Sequence, residues 1–251
     1  MTTLEMFASN KTVTRTHKTS PSAAALIAGI GLLIMVIAAP FAELYVFPKL
    51  VVSTDAAETV KNILANKTLF VAGLFGYLIS FLCDLLVAWA LYVFLKPVDE
   101  NFSRLTAWFR LVYTLIAMVA LLNLVTVLRL LDTPMYLTLF GPDQLQAQVM
   151  LSLDTFRSGW YFGLLFFGIH LGLLGTLVFR SNYVPKIAGI LLIVAGLGYL
   201  LTTLKPFLFP DVNLAFAEFT YYGELIFMLW LLIKGSRVTI SHSSSHPHTP
   251  G

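Results

Sequence analysis

Six long apolar segments limit what this chain can fold into. Each is long enough to cross the hydrocarbon core of a bilayer, which takes about 20 residues of helix at about 1.5 Å per residue. A helix also satisfies its own backbone polar groups, as lipid requires. We therefore predict an all-α fold, a polytopic integral membrane bundle of six transmembrane helices. The segments cover approximately residues 23–48, 69–95, 105–131, 156–179, 187–209 and 214–234.

The composition supports lipid as the solvent of this chain. Hydrophobic residues make up 58% and charged residues 12% of the sequence, and the mean hydropathy is +0.83. A net charge of only +3 argues against a nucleic-acid partner. The single cysteine, Cys83, excludes an intrachain disulfide and a cysteine-based zinc site. The expected partner is therefore the lipid bilayer.

The chain divides into three parts by composition. Residues 1–22 form a polar N-terminal segment, residues 23–234 the six-helix transmembrane domain, and residues 235–251 a Ser/His/Pro tail that we expect to be disordered. We interpret the first helix as a retained signal anchor. Pro40 should kink its outer end, because proline removes a backbone donor.

The tail holds three of the five histidines, which raises the alternative of metal binding. A plain flexible tail is the favoured interpretation, since low-complexity Ser/His/Pro sequence needs no ligand to explain it. These histidines are His242, His246 and His248.

The distribution of basic residues predicts the orientation, because cytoplasmic loops of membrane proteins are enriched in lysine and arginine. One side of the predicted bundle carries nine such residues, and the other has mixed charge in loop 49–68 and acidic residues in loop 132–155. Both termini are therefore predicted to be cytoplasmic. The nine residues are Lys11, Arg15, Lys18, Lys96, Arg104, Arg180, Lys186, Lys234 and Arg237.

Loop lengths give further expectations about packing. The second and third helices, and the fourth and fifth, are joined by short connections and should be antiparallel neighbours. Loops 49–68 and 132–155 are longer, and we expect short amphipathic pieces or a cap there.

Three sequence segments resemble a known family. They are AWFRLVY at the start of the third helix, FGIHL around His170, and FRSNYVPKIAG at the turn after the fourth helix. With the surrounding apolar segments, about residues 20–235, the sequence resembles bacterial multi-pass membrane proteins known only as a domain of unknown function. The resemblance implies a bacterial inner-membrane location and the six-helix architecture, but no activity.

Four ionisable residues fall in the inner to middle layer of the predicted bilayer. Placing an ionisable side chain at the bilayer centre costs at least about 2.5 to 3.5 kcal/mol of free energy. Each of these residues is therefore a candidate functional residue, and we expect it to have an interaction partner. Counted from the cytoplasmic ends, they lie about 8 to 16 Å deep. We predict that they line a buried polar cavity that binds a ligand, with at least two in direct or one-water contact. They are Asp84, Arg110, His170 and Glu224.

Asp84 is the clearest member of this set. It follows Gly73, Tyr77 and Ser80 at helical spacing, and a stripe of small and polar residues is typical of a packed helix face. Asp84 should therefore point into the bundle.

A second, outer polar layer is predicted about 24 to 30 Å from the cytoplasmic ends. These residues are close enough to the interface for their charged ends to reach water, which is the favoured explanation for most of them. They are Glu43, Asn123, Arg129, Arg157, Lys205 and Glu218.

Several enzyme classes are disfavoured by residues that the membrane segments lack. Bis-histidine haem ligation needs two facing histidines, and the apolar segments contain only His170. A zinc hydrolase with several histidine ligands in the membrane is disfavoured for the same reason. The sequence has no GxSxG or Walker motif. No catalytic residue, metal ligand set or cofactor is therefore assigned.

Three functional hypotheses remain. The leading one is a bacterial inner-membrane protein whose buried polar cavity binds or conducts a small molecule or a proton. The first alternative is a structural or stress-related membrane protein, in which the polar residues only pack helices. The second is an intramembrane enzyme with a carboxylate–histidine or metal site.

Overall fold

A computed structural model describes residues 19–208, 210–214 and 220–238, and every regular element in these ranges is helical. The all-α prediction is confirmed. In chain order the elements are α1 (Pro21–Pro40), a π-helical segment (Phe41–Val46), α2 (Phe47–Leu50), α3 (Ala56–Ala65), α4 (Lys67–Leu95), α5 (Glu100–Asp132), α6 (Pro134–Leu139), α7 (Pro142–Arg180), α8 (Lys186–Leu208), α9 (Tyr222–Ile233) and a 3-10 turn (Gly235–Arg237).

Five described helices are long and apolar enough to span a membrane, and one of them is the continuous helical run Pro21–Leu50. The sixth predicted segment, 214–234, is described as a helix only from Tyr222, and α9 has 12 residues. A helix of this length rises about 18 Å, which is less than the thickness of about 30 Å of the bilayer core. The protein is thus a multi-pass helical membrane bundle, whose described residues form five candidate spans and a shorter apolar helix.

Two regions predicted as loops contain helices. α7 begins at Pro142 and has 39 residues, so most of the predicted loop 132–155 belongs to it. The polar first turns of α7 are helical but not apolar, and a hydropathy pattern does not detect them. α3 is one of the expected amphipathic pieces, capped by Asp55, whose side chain accepts a hydrogen bond from the backbone of Glu58 at 2.9 Å.

The helices pack in a closed order. α1 contacts α4, α4 contacts α5, α5 contacts α7, and α7 contacts α8, while α9 packs against both α1 and α8. The expected neighbours α4 with α5 and α7 with α8 are confirmed. Residues 96–99 and 181–185 join these pairs at one end of the bundle, here called the basic end. The opposite end, which holds α3 and α6, is called the α3 end.

The turn between α7 and α8 is fixed at the basic end by Tyr183. Its hydroxyl donates to the backbone carbonyl of Phe94 at 2.8 Å, which ties the turn to the last residues of α4. Burial raises the pKa of Tyr183, because the phenolate would lose solvation.

At Pro40 the hydrogen-bonding pattern of the first helix changes. The chain continues without a break into the π-helical segment Phe41–Val46, where we predicted a kink. Proline lacks the backbone donor of a regular α-helix, which accounts for a change at this point. The first residues of the predicted tail, Gly235–Arg237, form a 3-10 turn packed on α1. His242, His246 and His248 lie outside the described residues.

Candidate functional site

Arg110 is the centre of the polar contacts inside the bundle. It lies on α5 with no solvent exposure. Its guanidinium reaches side chains from four other helices: Met35 of α1, Asp84 of α4, His170 of α7 and Glu224 of α9. Arg110 therefore connects most of the bundle at one level.

The pair of Arg110 and Asp84 is the tightest contact. Nε of Arg110 donates to Oδ1 of Asp84 at 2.8 Å, and Nη2 lies 2.6 Å from the same oxygen. The Asp84 side chain is 1% exposed, and Oδ2 has no hydrogen-bond partner among the described residues. Asp84 faces the interior as predicted from its helical stripe.

The contacts of His170 define its tautomer. Nδ1 lies 2.8 Å from the backbone carbonyl of Thr106, which can only accept, so Nδ1 carries the hydrogen. Nε2 lies 3.3 Å from Nη1 of Arg110, a group that can only donate. Both ring nitrogens are therefore used by a neutral imidazole.

Glu224 approaches the guanidinium less closely. Its Oε1 lies 3.7 Å from Nη1 of Arg110 and makes no hydrogen bond among the described residues. Its side chain is 20% exposed, whereas that of Arg110 is 0% exposed. Glu224 stands in the first turn of α9, where the helix dipole favours a carboxylate.

Apolar groups enclose the rest of the guanidinium. Sδ of Met35 lies 3.8 Å from Nη2, and the ring of Phe167 lies 5.3 Å from Cζ of Arg110. An aromatic face at this distance attracts the cation. Phe167 and the carbonyl of Thr106 were not anticipated, because neither an apolar ring nor a backbone oxygen stands out in a membrane segment.

Asp84, Arg110, His170 and Glu224 are here called the Arg110 cluster. The predicted proximity is observed, since all four meet through Arg110. Arg110 and His170 have no exposed surface, so the two side chains do not face an open cavity. Their role in ligand binding stays a prediction. With both carboxylates ionised and His170 neutral, the cluster would carry one net negative charge.

The outer polar layer does not form one cluster. Glu43 and Arg157 line a common cavity at the α3 end. Asn123 donates to the carbonyl of Ala120 in its own helix at 3.0 Å. Arg129 and Lys205 lie in the last turns of α5 and α8. Glu218 lies outside the described residues.

Within the residues that the structure describes, no group of three or more His, Cys, Asp or Glu side chains could hold a metal ion. The Arg110 cluster contains only one histidine and two carboxylates around a cation, and a guanidinium at its centre would repel a metal ion.

Comparison with known proteins identifies a family but no activity. The chain is 34% identical over 164 residues to an "Uncharacterized protein" of Archaeoglobus fulgidus, an alignment that covers 65% of this chain and 84% of that relative. An archaeal relative means that similarity alone does not place the chain in a bacterium. No solved structure matches the chain. Residues 27–235 match a family described as a domain of unknown function. The chain therefore belongs to this family, DUF4386, as its resemblance to such proteins implied.

Proposed function

We propose that this protein binds a proton inside the membrane at the Arg110 cluster. One observation carries the proposal: two carboxylates share a single buried guanidinium, and one oxygen of each has no hydrogen-bond partner. A second buried negative charge without its own cation costs several kcal/mol. One bound proton makes the cluster neutral.

Glu224 holds this proton in the resting state. Asp84 already accepts a hydrogen bond from Nε of Arg110 and lies 2.6 Å from Nη2, which favours its ionised form. Glu224 lies farther from the guanidinium and makes no hydrogen bond to it, so its negative charge is less well compensated. His170 is excluded as the resting acceptor, because both of its nitrogens are already engaged.

We expect the infrared spectrum of the purified protein in detergent at neutral pH to contain the carbonyl band of one protonated carboxyl group in a dry environment. The band should decrease at alkaline pH, when the proton leaves. Either Glu224→Gln or Asp84→Asn should remove it, because a single remaining carboxylate is neutralised by Arg110. Asp84→Asn should still fold, because the ionised Glu224 then balances the buried charge of Arg110.

The matched control is Glu58→Gln on α3, a partly exposed carboxylate that pairs with Lys61 far from the cluster. This variant should keep the band. Proton binding by the cluster is refuted by a wild-type spectrum without the band, and equally by a band that persists in both cluster variants.

A structural role is the second candidate function. It is favoured by the direct contacts of a fully buried Arg110 with neighbouring helices, which need no ligand to be satisfied. Interhelical polar contacts of this kind commonly hold membrane helices together, for about 0.6 kcal/mol each. In that case both carboxylates are ionised and no protonated band is observed.

The proposed location is the cytoplasmic (inner) membrane of a bacterium, with both termini in the cytoplasm. The support is the charge at the basic end, together with the resemblance to bacterial membrane proteins. Positive charge of this kind is retained on the cytoplasmic side. Six described basic residues lie at or near the basic end: Lys96, Arg104, Arg180, Lys186, Lys234 and Arg237.

Reporter fusions test this orientation. Reporters attached within residues 1–20, 97–104, 181–186 and 236–251 should give cytoplasmic signals, because these positions share the basic side. A reporter at the α3 end, within 52–54, should give the opposite signal. An external signal from 97–104 contradicts the proposed topology.

A further inference from the structure

A second polar site lies at the α3 end, separate from the Arg110 cluster. It is a cavity of about 340 Å³, at the small end of the roughly 300–1,000 Å³ typical of ligand pockets. We call it the α3-end pocket. Its principal lining residues are Glu43, Tyr77, Asp154, Phe156, Arg157 and Trp160.

The π-helical segment Phe41–Val46 carries the first carboxylate of this pocket. Single π-helical turns within α-helices occur frequently at functional sites. The hydroxyl of Tyr77 donates a short hydrogen bond to Oε2 of Glu43. Oε1 has no hydrogen-bond partner among the described residues, although Glu43 lines the cavity. One carboxylate oxygen thus remains available to a ligand.

Aromatic rings form much of the pocket wall. The ring of Tyr77 lies 5.0 Å from that of Phe156 and 5.2 Å from that of Trp160. Phe47 adds a fourth ring, 5.5 Å from Tyr77. Aromatic faces carry negative potential and attract organic cations, with tryptophan the strongest. Trp160 is the partly exposed ring of this wall, and together with Glu43 it favours a positively charged ligand.

Among the described residues, the second carboxylate and the only cation that line the pocket come from α7. Asp154 and Arg157 are both exposed, and neither forms an ion pair within the described part of the chain. With Glu43, the lining has two negative charges and one positive charge. The net charge of −1 matches a ligand group with a single positive charge. Arg157 is available to an anionic part of the same molecule.

We propose that the α3-end pocket binds an organic ammonium group. The group enters between the carboxylate of Glu43 and the aromatic wall. Its source is either a small soluble cation or the ethanolamine headgroup of a phospholipid, whose phosphate would face Arg157. This site does not depend on proton binding by the Arg110 cluster, because the two share no lining residue.

The test is titration of the full chain in detergent with choline, measured by calorimetry. The control ligand is 3,3-dimethyl-1-butanol, which has the shape of choline without the charge. We expect choline to bind at least about tenfold more tightly, since a cation gains both the carboxylate and the ring faces. Equal binding of the two compounds overturns the proposal. The proposal is also overturned if choline does not bind and phosphatidylethanolamine does not raise the melting temperature.

Two variants locate the site. Glu43→Gln should weaken choline binding by about tenfold, because it removes the charge and keeps the shape. Asp154→Asn is exposed and has no protein partner to lose, so it should fold and weaken binding by about threefold. Glu58→Gln, on the same end but outside the pocket, should bind as the wild type does. Unchanged affinity in a folded Asp154→Asn and in Glu43→Gln refutes the assignment.

Lipid composition separates the two sources of ammonium. The protein is reconstituted in phosphatidylglycerol nanodiscs with or without phosphatidylethanolamine. If the headgroup is the natural ligand, phosphatidylethanolamine should raise the melting temperature of the wild type but not of Glu43→Gln, and should compete with choline. If a soluble cation is the ligand, choline should bind equally in both nanodiscs.

Discussion

Replacing Arg110 with methionine should lower the free energy of unfolding by about 3 to 5 kcal/mol. The substitution keeps most of the apolar stem of the side chain and removes its charged end. Asp84 loses the donors that lie 2.6 and 2.8 Å from Oδ1, and Glu224 loses its nearest cation. His170 also loses the donor to Nε2. Denaturant unfolding of the purified protein in detergent measures the change.

The matched control is Arg104→Met, on the same helix near its first turn. Arg104 pairs with Glu100 at 3.1 Å, but its side chain is 54% exposed, so the loss should be below about 1 kcal/mol. Adding Asp84→Asn to Arg110→Met should recover part of the stability, because it removes one stranded charge. Equal losses for the two arginines, or no recovery in the double variant, contradict the central role of Arg110.

Much of the Arg110 cluster could be predicted from the sequence by depth alone. A helix rises by a fixed amount per residue, so counting from the ends brings Asp84, Arg110, His170 and Glu224 to similar levels. Their polarity also makes them conspicuous in apolar segments. Depth does not determine how each helix is rotated about its axis, and it did not identify Arg110 as the common partner.

The contacts that complete the cluster had no usable sequence signal. The tautomer of His170 depends on the backbone carbonyl of Thr106, and any residue would supply a carbonyl. Phe167 and Met35 are ordinary apolar residues of membrane helices. Their role follows from the packing of α1 and α7 around the guanidinium of Arg110, which is known only in three dimensions.

The α3 end was harder to predict than the membrane interior. Hydropathy finds the apolar part of α7 but not its polar first turns, so Asp154 was assigned to a loop. Depth grouped Glu43 with Asn123, Arg129 and other residues, but of those that the structure describes only Arg157 shares its pocket. The π-helical segment packs on α4, and the rings that complete this pocket come from α2, α4 and α7, so the pocket depends on tertiary packing.

Adding a single methyl group at Gly175 should destabilise the protein, whereas the same change at Gly172 should not. A Cβ atom at Gly175 would lie 2.6 Å from the carbonyl oxygen of Gly189 and 2.8 Å from the backbone nitrogen of Ile193, both on α8. Backbone atoms cannot rotate away, so α7 and α8 must separate. Gly175→Ala should therefore cost about 2 kcal/mol of unfolding free energy.

Gly172 lies one turn earlier on α7, and a Cβ atom there meets nothing within 4 Å. Gly172→Ala should leave stability unchanged or raise it by up to about 1 kcal/mol, because alanine favours the helix more than glycine does. Denaturant unfolding of the two variants in the same detergent compares the sites directly. If Gly175→Ala is as stable as Gly172→Ala, close backbone contact between α7 and α8 is not what holds this part of the bundle together.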